Sequence, residues 1–354
     1  MTIDELRARA VAHSLFKPTS LKAAVMRLGF VQADPIRSPA RAQDLILRHR
    51  VKGYKVGDLE RGFRSLDIEE DVLYAYGFVH RRIWELLHPR ESARLSKLEK
   101  SVLDAVLQAG PTHPATLQEA YGRNRVINAW GGYSKASTQA LEDLHYRGRL
   151  RIAKRENGIR IYEPARPCTE LPQAERLEKL ILCVVNILAP VPIQTLNSNV
   201  ARYARLGNPR ATVRRMIAGG DLDSQIVNGF EYVSLRQQNR FDPREPLVRF
   251  LAPFDPLVWD RRRFEHLWGW AYRFEAYTPP DRRQRGYYAM PMLWKDDIVG
   301  WANANIHNGK LHIDVGFTKS CPRGAAFRHE LKAESQRLAS FLGKDVGIDP
   351  SIQH

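Results

Sequence analysis

A pattern recurs in the stretches Gly148–Tyr162, GRLRIAKRENGIRIY, and Gly220–Tyr232, GDLDSQIVNGFEY. Each begins at a glycine, reaches an Asn-Gly pair a few residues later and then arrives at a tyrosine. Asn-Gly favours the tight two-residue turn of a β-hairpin, because both central residues of that turn need a positive φ. We therefore predict two hairpins with tips at Asn157-Gly158 and Asn228-Gly229, pairing 151–155 with 159–162 and 223–227 with 230–235.

Helical periodicity precedes both hairpins. Segments 91–108 and 174–188 each place apolar residues on one helical face, namely Leu95, Leu98, Val102 and Val106 in the first, and Leu177, Leu180, Ile181, Val184 and Leu188 in the second. A short second helix follows a Thr-Leu pair in each copy, and a third helix is predicted near 134–146 and from Asn208-Pro209 onward. Three helices and a hairpin make a winged helix, whose third helix normally enters a DNA groove. The copies lie roughly 70 to 80 residues apart, enough for one small domain each.

The two ends of the chain differ from this middle part. Near the N-terminus, a helix over 21–28 is predicted to end at Gly29 and to lead into a strand at Phe30–Asp34. From about Pro246 the chain becomes rich in aromatic residues and alternating patterns, with strands predicted at 286–294, 297–305 and 310–316 and a closing helix near 323–342.

These patterns predict an α+β chain of tandem winged-helix domains followed by a β-rich, barrel-like C-terminal domain. We expect a first winged-helix-like domain at 1–56 that carries the strand with Gln32 and Asp34, and an acidic, helical connecting segment at 57–90. The second and third winged helices are expected at 91–166 and 167–240, and the C-terminal domain at 246–354.

Composition limits the function classes. The chain has 354 residues, of which 44% are hydrophobic, so it can bury two to four cores. Its 55 basic and 39 acidic residues give a net charge of +16, which favours a polyanion as binding partner over a basic surface without a partner. Among polyanions, DNA is the more common partner and a membrane surface the rarer one. The three cysteines are far apart, and neither they nor the histidines show ligand spacing, so no disulfide, metal or other cofactor is expected. With no apolar segment long enough for a signal peptide or a membrane span, we expect a cytoplasmic protein.

Gln32 and Asp34 form the sharpest local feature. Alternate side chains of a strand point to one face, which would place their Cβ atoms roughly 7 Å apart, close enough to hold one water or one sugar between them. Pro35 favours an extended backbone at Asp34. Judged on spacing alone, however, a structural role is the stronger interpretation, with a solvent-facing strand edge and Asp34 capping the following turn.

Basic residues near these motifs are candidates for phosphate contacts. They are Arg37, Arg41 and Arg48 after the first strand, Lys135, Arg151, Lys154 and Arg155 in the second winged helix, and Arg214 and Arg215 in the third. For each one, the alternative is a solvated surface charge. The C-terminal aromatic residues Trp268, Trp270, Tyr272 and Phe274 are interpreted as core, with stacking on a base as the alternative.

Several blocks of the chain together form a recognisable pattern. The N-terminal block comprises Leu28–Asp34, Arg41-Ala42 and Arg48–Val51, and the C-terminal blocks comprise Leu251–Arg261, Tyr272–Tyr277 and Arg285–Leu293. These blocks resemble those of the AlkZ/YcaQ crosslink-repair DNA glycosylases. The tract Gly131–Lys135 with Ala140–Glu142 is similar to their second winged helix. The chain departs from the family pattern at Gln43, where many relatives have His, and at Trp301 and Asn303, where they usually have Arg and Asp.

The resemblance implies three tandem winged helices, a barrel-like domain, and monofunctional removal of N7-alkylguanine adducts, including crosslinked ones, from duplex DNA. It also implies that Gln32 and Asp34 are the catalytic pair. Alkylation at N7 leaves guanine cationic, so it departs readily, and a carboxylate can then stabilise the sugar and activate a water without metal or organic cofactor. We expect a monomer, with Asp34 held ionised by Arg37 or Arg41. The rival function is a winged-helix transcription regulator without catalysis.

Overall fold

The chain forms two compact units, one made of Met1–Gly62 with Leu177–His354 and the other of Phe63–Arg176. The computed structural model describes residues 1–90, 94–121, 125–127, 133–166, 168, 171–236, 246–347 and 351–352. The Gly131-Gly132 pair of the family-like tract lies outside these residues. Across the described part of the chain, no helix is both long enough and apolar enough to cross a membrane.

The N-terminal part of the first unit is mainly helical. Its elements are α1 (Ile3–Ser14), α2 (Leu21–Leu28), β1 (Phe30–Gln32), α3 (Ala42–Leu47) and α4 (Asp58–Arg61). The predicted helix α2 is confirmed, with Ser20 as N-cap and Gly29 in the left-handed region at its C-terminus. The predicted strand was too long, because β1 ends at Gln32. Pro35 cannot donate a backbone hydrogen bond, and the chain turns there instead of continuing in a sheet.

The second unit begins with a hairpin that the sequence did not indicate. Strands β2 (Ile68–Val72) and β3 (Tyr76–His80) pair antiparallel and lead into α5 (Arg81–Leu87). The description of 57–90 as a helical connecting segment was therefore wrong for residues 68–80. Three consecutive acids of β2, Glu69 to Asp71, are at most 3% exposed, and their ion pairs with arginines allow a segment that looks solvent-exposed to be a buried strand.

The rest of the second unit contains the first copy of the repeat. It comprises α6 (Lys97–Ala109), α7 (Pro114–Tyr121), β4 (Arg125–Ile127), β5 (Tyr133–Lys135), α8 (Ala136–Tyr146), β6 (Leu150–Glu156) and β7 (Ile159–Pro164). Strands β6 and β7 pair as predicted, with Asn157 and Gly158 at positive φ in the tip. Val102 and Val106 of α6 join one hydrophobic core with α8 and the hairpin.

The second copy follows along the chain. It contains α9 (Gln173–Leu188), β8 (Val191–Pro192), α10 (Ile193–Val200), a 3-10 helix at Ala201–Leu206, α11 (Pro209–Ala218), β9 (Leu222–Val227) and β10 (Phe230–Leu235). Asn208 caps α11 and Asn228-Gly229 forms the tip of the β9–β10 hairpin, both as predicted. All five apolar residues predicted for the inner face of α9 are buried. Both copies thus show three helices followed by a hairpin, and their interpretation as winged helices stays a prediction.

The C-terminal part of the first unit is built on a mixed sheet. Its elements are β11 (Val248–Phe250), α12 (Pro256–Trp259), α13 (Arg261–Trp268), β12 (Met290–Trp294), β13 (Asp297–His307), β14 (Lys310–Phe317), α14 (Ala325–Leu342), β15 (Asp345–Val346) and β16 (Ser351–Ile352). Strands β11 to β14 are antiparallel in this order, while β15 and β16 run parallel to β14. The α+β class is confirmed. The strand predicted from residue 286 begins only at Met290, because the backbone N–H groups of Arg285 and Gly286 bond to Glu275 instead.

The aromatic residues of this region lie mainly in the core. Trp268, Trp270 and Tyr272 pack with α1 and with the β12–β13 strands in one buried cluster, which confirms their interpretation as core residues. Phe274 is only partly buried and packs edge-on against Phe254 and Tyr288. The core therefore joins the N-terminal helix to the C-terminal sheet within the first unit.

Candidate active site

Gln32 and Asp34 lie at the point where β1 ends and an irregular loop begins. Both side chains are partly buried. Asp34 Oδ1 accepts a hydrogen bond of 2.9 Å from the backbone N–H of Ile36, so one carboxylate oxygen caps the local turn. The Oε1 atom of Gln32 is buried and, within the described part of the chain, has no hydrogen-bond partner. Because buried polar atoms are almost always satisfied, this oxygen is a candidate for binding a ligand or a water.

The electrostatic surroundings of Asp34 differ from the expectation. Partial burial raises the pKa of its carboxyl group, and the hydrogen bond from Ile36 opposes this only in part. Neither of the expected arginines offsets this rise in the pKa, because Arg41 donates a hydrogen bond to Glu60 at 3.1 Å and Arg37 is exposed. The predicted role of Arg37 or Arg41 in holding Asp34 ionised was therefore wrong, whereas its ionised state at neutral pH stays a prediction. A raised pKa makes the carboxylate a better proton acceptor.

A pocket of about 370 Å³ lies next to the loop that carries Asp34. Its lining comes from Ser38 in this loop, from the segment 284–288, and from residues 303–305 and 314 of β13 and β14. We call it the β13–β14 pocket. None of these residues was among the predicted site residues, although the family-like block Arg285–Leu293 and the departure at Asn303 had both pointed to this part of the chain.

Tyr288 connects the pocket with Asp34. The tyrosine is 3% exposed, and its hydroxyl group is buried without a partner among the described residues. Burial raises the pKa of Tyr288 most, and the negative charge of Asp34 raises it further. This coupling requires the two side chains to be within electrostatic reach. An unsatisfied hydroxyl and the unsatisfied oxygen of Gln32 thus belong to the surroundings of one carboxylate.

The predicted phosphate contacts after β1 are not all available. Arg37 is exposed and Arg41 is partly exposed in its ion pair with Glu60. Arg48, however, has a side chain that is only 4% exposed, and it forms an ion pair with Glu334 and a hydrogen bond to the Phe250 carbonyl. Its assignment as a DNA contact was wrong, because a buried guanidinium already bound to a carboxylate cannot reach a phosphate.

The basic residues of the second unit divide into paired and exposed groups. Arg151 binds Glu69 and Glu163, and Arg155 binds the buried Glu70. Lys135 donates to the side chain of Gln118. Lys154 is 48% exposed and pairs with the exposed Glu156, which competes weakly with a phosphate. Of these four cations, Lys154 is therefore the most accessible to DNA.

The predicted contacts of α11 are exposed. Arg214 and Arg215 each have side chains that are 59% exposed. They form ion pairs with Glu231 and Glu178, respectively, at the surface of the first unit. Such surface pairs contribute little to stability and can be exchanged for phosphate.

Comparisons with known proteins agree with the fold and with the family-like blocks. The sequence matches the family described as DNA glycosylase AlkZ-like over residues 25–341. The fold is similar to that of the Streptomyces sahachiroi DNA glycosylase AlkZ, with a TM-score of 0.66 over 100% of both chains and 15% sequence identity. At this identity the structural likeness concerns the fold alone. The family match spans most of the chain, including Gln32, Asp34 and the residues of the β13–β14 pocket, and the chain therefore belongs to the AlkZ-like DNA glycosylase family.

Proposed function

We propose that this DNA glycosylase hydrolyses the N-glycosidic bond of N7-alkylguanine lesions in duplex DNA, with Gln32 and Asp34 as the catalytic pair. The observation that carries the proposal is the partly buried Asp34 carboxyl group, two residues along the chain from Gln32, whose buried Oε1 has no partner in the described structure. Ser38, in the loop that carries Asp34, lines a pocket, and the chain belongs to a family of DNA glycosylases.

The leaving group needs little activation by the enzyme. The alkylated guanine is cationic, so it departs as a neutral base when the C1′–N9 bond breaks and its electron pair moves to the ring. A water oxygen then forms the new bond to C1′, and the proton of the water passes to the Asp34 carboxylate. The same negative charge stabilises the oxocarbenium character of the sugar before the water adds.

Gln32 is proposed to position this water. Its buried Oε1 can accept one hydrogen bond from the water, which aligns the oxygen lone pair with C1′. An amide cannot take up the proton, so its contribution is orientation. Asp34 Oδ1 accepts the hydrogen bond from the Ile36 N–H, which holds the carboxylate in place, and the other oxygen is proposed to take the proton from the water.

DNA binding is proposed to use the two repeat copies as winged helices, together with a first copy at 1–56. The exposed Lys154 lies on the hairpin of the first copy, and the exposed Arg214 and Arg215 lie on the third helix of the second copy. Phosphate contacts are expected at both places. A net charge of +16 supports a duplex DNA partner that carries alkylated bases. We propose that one chain suffices, since the catalytic pair and the pocket belong to a single unit.

The test measures excision from a duplex with a single 7-methylguanine, scored as abasic sites under single-turnover conditions. Asp34→Asn keeps the shape of the side chain and should lower the rate by about two orders of magnitude, the scale of general-base catalysis. Gln32→Ala should lower it less, because only positioning is lost. Asp4→Asn, at a side chain that is 78% exposed, serves as the matched control and should excise normally.

Two outcomes would contradict the proposal. Normal excision by the Asp34→Asn protein would reduce Asp34 to a turn cap, which its hydrogen bond to Ile36 would then explain completely. A wild-type protein that binds duplex DNA but leaves no abasic site in any alkylated duplex would favour the non-catalytic regulator.

A further inference from the structure

We propose that the β13–β14 pocket binds the displaced guanine base, with Asp314 accepting hydrogen bonds from its N1–H and N2–H groups and Tyr287 packing on its ring. This inference rests on the proposed function and adds a site for the leaving group. The volume of about 370 Å³ lies within the range of small-molecule sites, roughly 300–1,000 Å³.

The floor of the pocket is polar because of strand register. Asn303 of β13 pairs directly with Asp314 of β14. Directly paired residues point to the same face of a sheet, and so does Asn305, two positions further along β13. Two amides and a carboxylate are therefore collected on one face, and all three line the pocket. Guanine presents one acceptor, O6, next to two donors, which matches an amide beside a carboxylate.

The wall of the pocket is a turn that is held rigidly. Glu275 Oε2 accepts hydrogen bonds from the backbone N–H groups of Arg285 and Gly286, at 2.8 and 3.2 Å. Asn303 Nδ2 donates to the Arg285 carbonyl at 2.5 Å. Gly286 has φ near +112°, which other residues rarely adopt, and a Cβ atom there would lie 2.5 Å from Asn303 Oδ1, so this turn favours glycine. The wall is thus formed before any ligand arrives.

Aromatic side chains project from this wall. Tyr287 is 41% exposed and lines the pocket, with the Arg283 guanidinium 5.1 Å from its ring centroid. Tyr288 lines the pocket from a buried position, supported edge-on by Phe274. Enzymes that extrude a base commonly stack it on aromatic rings and read its Watson–Crick edge by hydrogen bonds.

Charge favours an alkylated over an ordinary guanine. N7 alkylation makes the ring cationic until the C1′–N9 bond breaks, and the Asp314 carboxylate would attract the base in this state. After the bond breaks the base is neutral, and the carboxylate would hold it through its N–H donors. Ser38 follows Asp34 in the same loop and lines the same pocket, so a base held there would be near the proposed nucleophilic water.

The experiment measures two quantities on the full chain: binding of free 7-methylguanine, by equilibrium dialysis, and single-turnover excision from duplex DNA. Asp314→Asn and Tyr287→Ala should each weaken base binding by about tenfold, as expected for losing a hydrogen bond to a charged group or a stacking surface. Both should also slow excision. Tyr277→Ala is the matched control, because this tyrosine is 79% exposed and does not line the pocket.

The outcomes separate this inference from the proposed function. If Asp314→Asn and Tyr287→Ala bind the free base and excise like the wild type while Asp34→Asn is inactive, the pocket is not the base site and the proposed function stands. If Asn305→Ala, a mild change at an exposed position, also leaves both quantities unchanged, the inference is overturned independently of any folding defect. Absence of excision by the wild type would overturn the proposed function, whereas the dialysis measurement would still decide whether the pocket binds a base.

Discussion

Asp34 combines a structural contact with a position that suits chemistry. Its carboxylate caps a turn through Ile36, which any Asx residue could do. Burial raises its pKa, so the ionised carboxylate is less stable in the folded chain than it would be in water. Catalytic groups commonly show such a conflict between stability and function. At the scale of single residues, this conflict is what distinguishes Asp34 from an ordinary cap.

The Asp34→Asn variant is expected to be at least as stable as the wild type at pH 7. The folded-state pKa of Asp34 lies above its unfolded value, so ionisation destabilises the fold as the pH rises through this interval. Asparagine removes the charge and can still accept the Ile36 hydrogen bond. The melting temperatures should converge as the pH falls towards the unfolded pKa, about 3.9. A variant that melts well below the wild type throughout this range would show that the carboxylate stabilises the fold.

At the scale of elements, the hairpin β6–β7 shows two classes of basic residue. Arg155 donates to the buried Glu70 of β2, whereas Lys154, one position earlier, is exposed. Side chains of adjacent strand residues point to opposite faces, so one faces the unit's own acids and the other faces solvent. A count of the basic residues in the sequence of this hairpin therefore overestimates the positive charge that is accessible to DNA.

Lys154→Ala and Arg155→Ala are expected to act on different quantities. Loss of Lys154 should lower the salt slope of duplex binding by about one unit per phosphate contact and leave the melting temperature unchanged. Loss of Arg155 leaves Glu70 with fewer partners and should lower the free energy of unfolding by about 1–3 kcal/mol. Binding titrations at several salt concentrations, combined with thermal denaturation, distinguish the two. A Lys154→Ala protein with a wild-type slope would remove this hairpin from the DNA interface.

At the scale of the whole molecule, the first unit joins the two ends of the chain through buried charges. Arg50 and Asp255 form a bidentate pair with both side chains fully buried, and Arg50 also donates to the carbonyls of Ser14 and Ile46. Next to it, Arg48 binds Glu334 and His49 bonds to the Phe250 carbonyl. Three consecutive residues thus hold the N-terminal helices on the C-terminal sheet and α14.

Asp255→Ala is expected to destabilise the first unit by about 3–5 kcal/mol, because it leaves the Arg50 guanidinium buried without its counter-charge. Urea unfolding of the full chain, followed by tryptophan fluorescence, measures this change. Asp281→Ala removes an ion pair in which both side chains are about three-quarters exposed, and it should change stability by less than about 1 kcal/mol. Equal effects of the two substitutions would show that the buried pair does not hold the unit together.

Interactions between residues close in sequence determine much of the secondary structure of this protein. The Asn157-Gly158 and Asn228-Gly229 tips, the cap at Asn208 and the inner face of α9 depend on residues close in sequence, and all were predicted correctly. The family-like blocks likewise pointed to Gln32 and Asp34 before any coordinates, because their residues carry the signature in linear order. The α+β class followed from the sequence of these local patterns.

Tertiary structure decided which charges and polar atoms are available. Whether Arg48 faces DNA or protein depends on Glu334, 286 residues away, and the burial of Glu70 depends on Arg155. The β13–β14 pocket likewise brings together Ser38, Tyr288 and Asp314 from distant segments, and burial in the folded chain raises the pKa of Asp34. Burial and pairing are properties of contacts between distant segments, and a sequence pattern reports only the neighbours within a few residues. The position of a chemical group could therefore be predicted from the sequence, whereas its solvation and its partners could not.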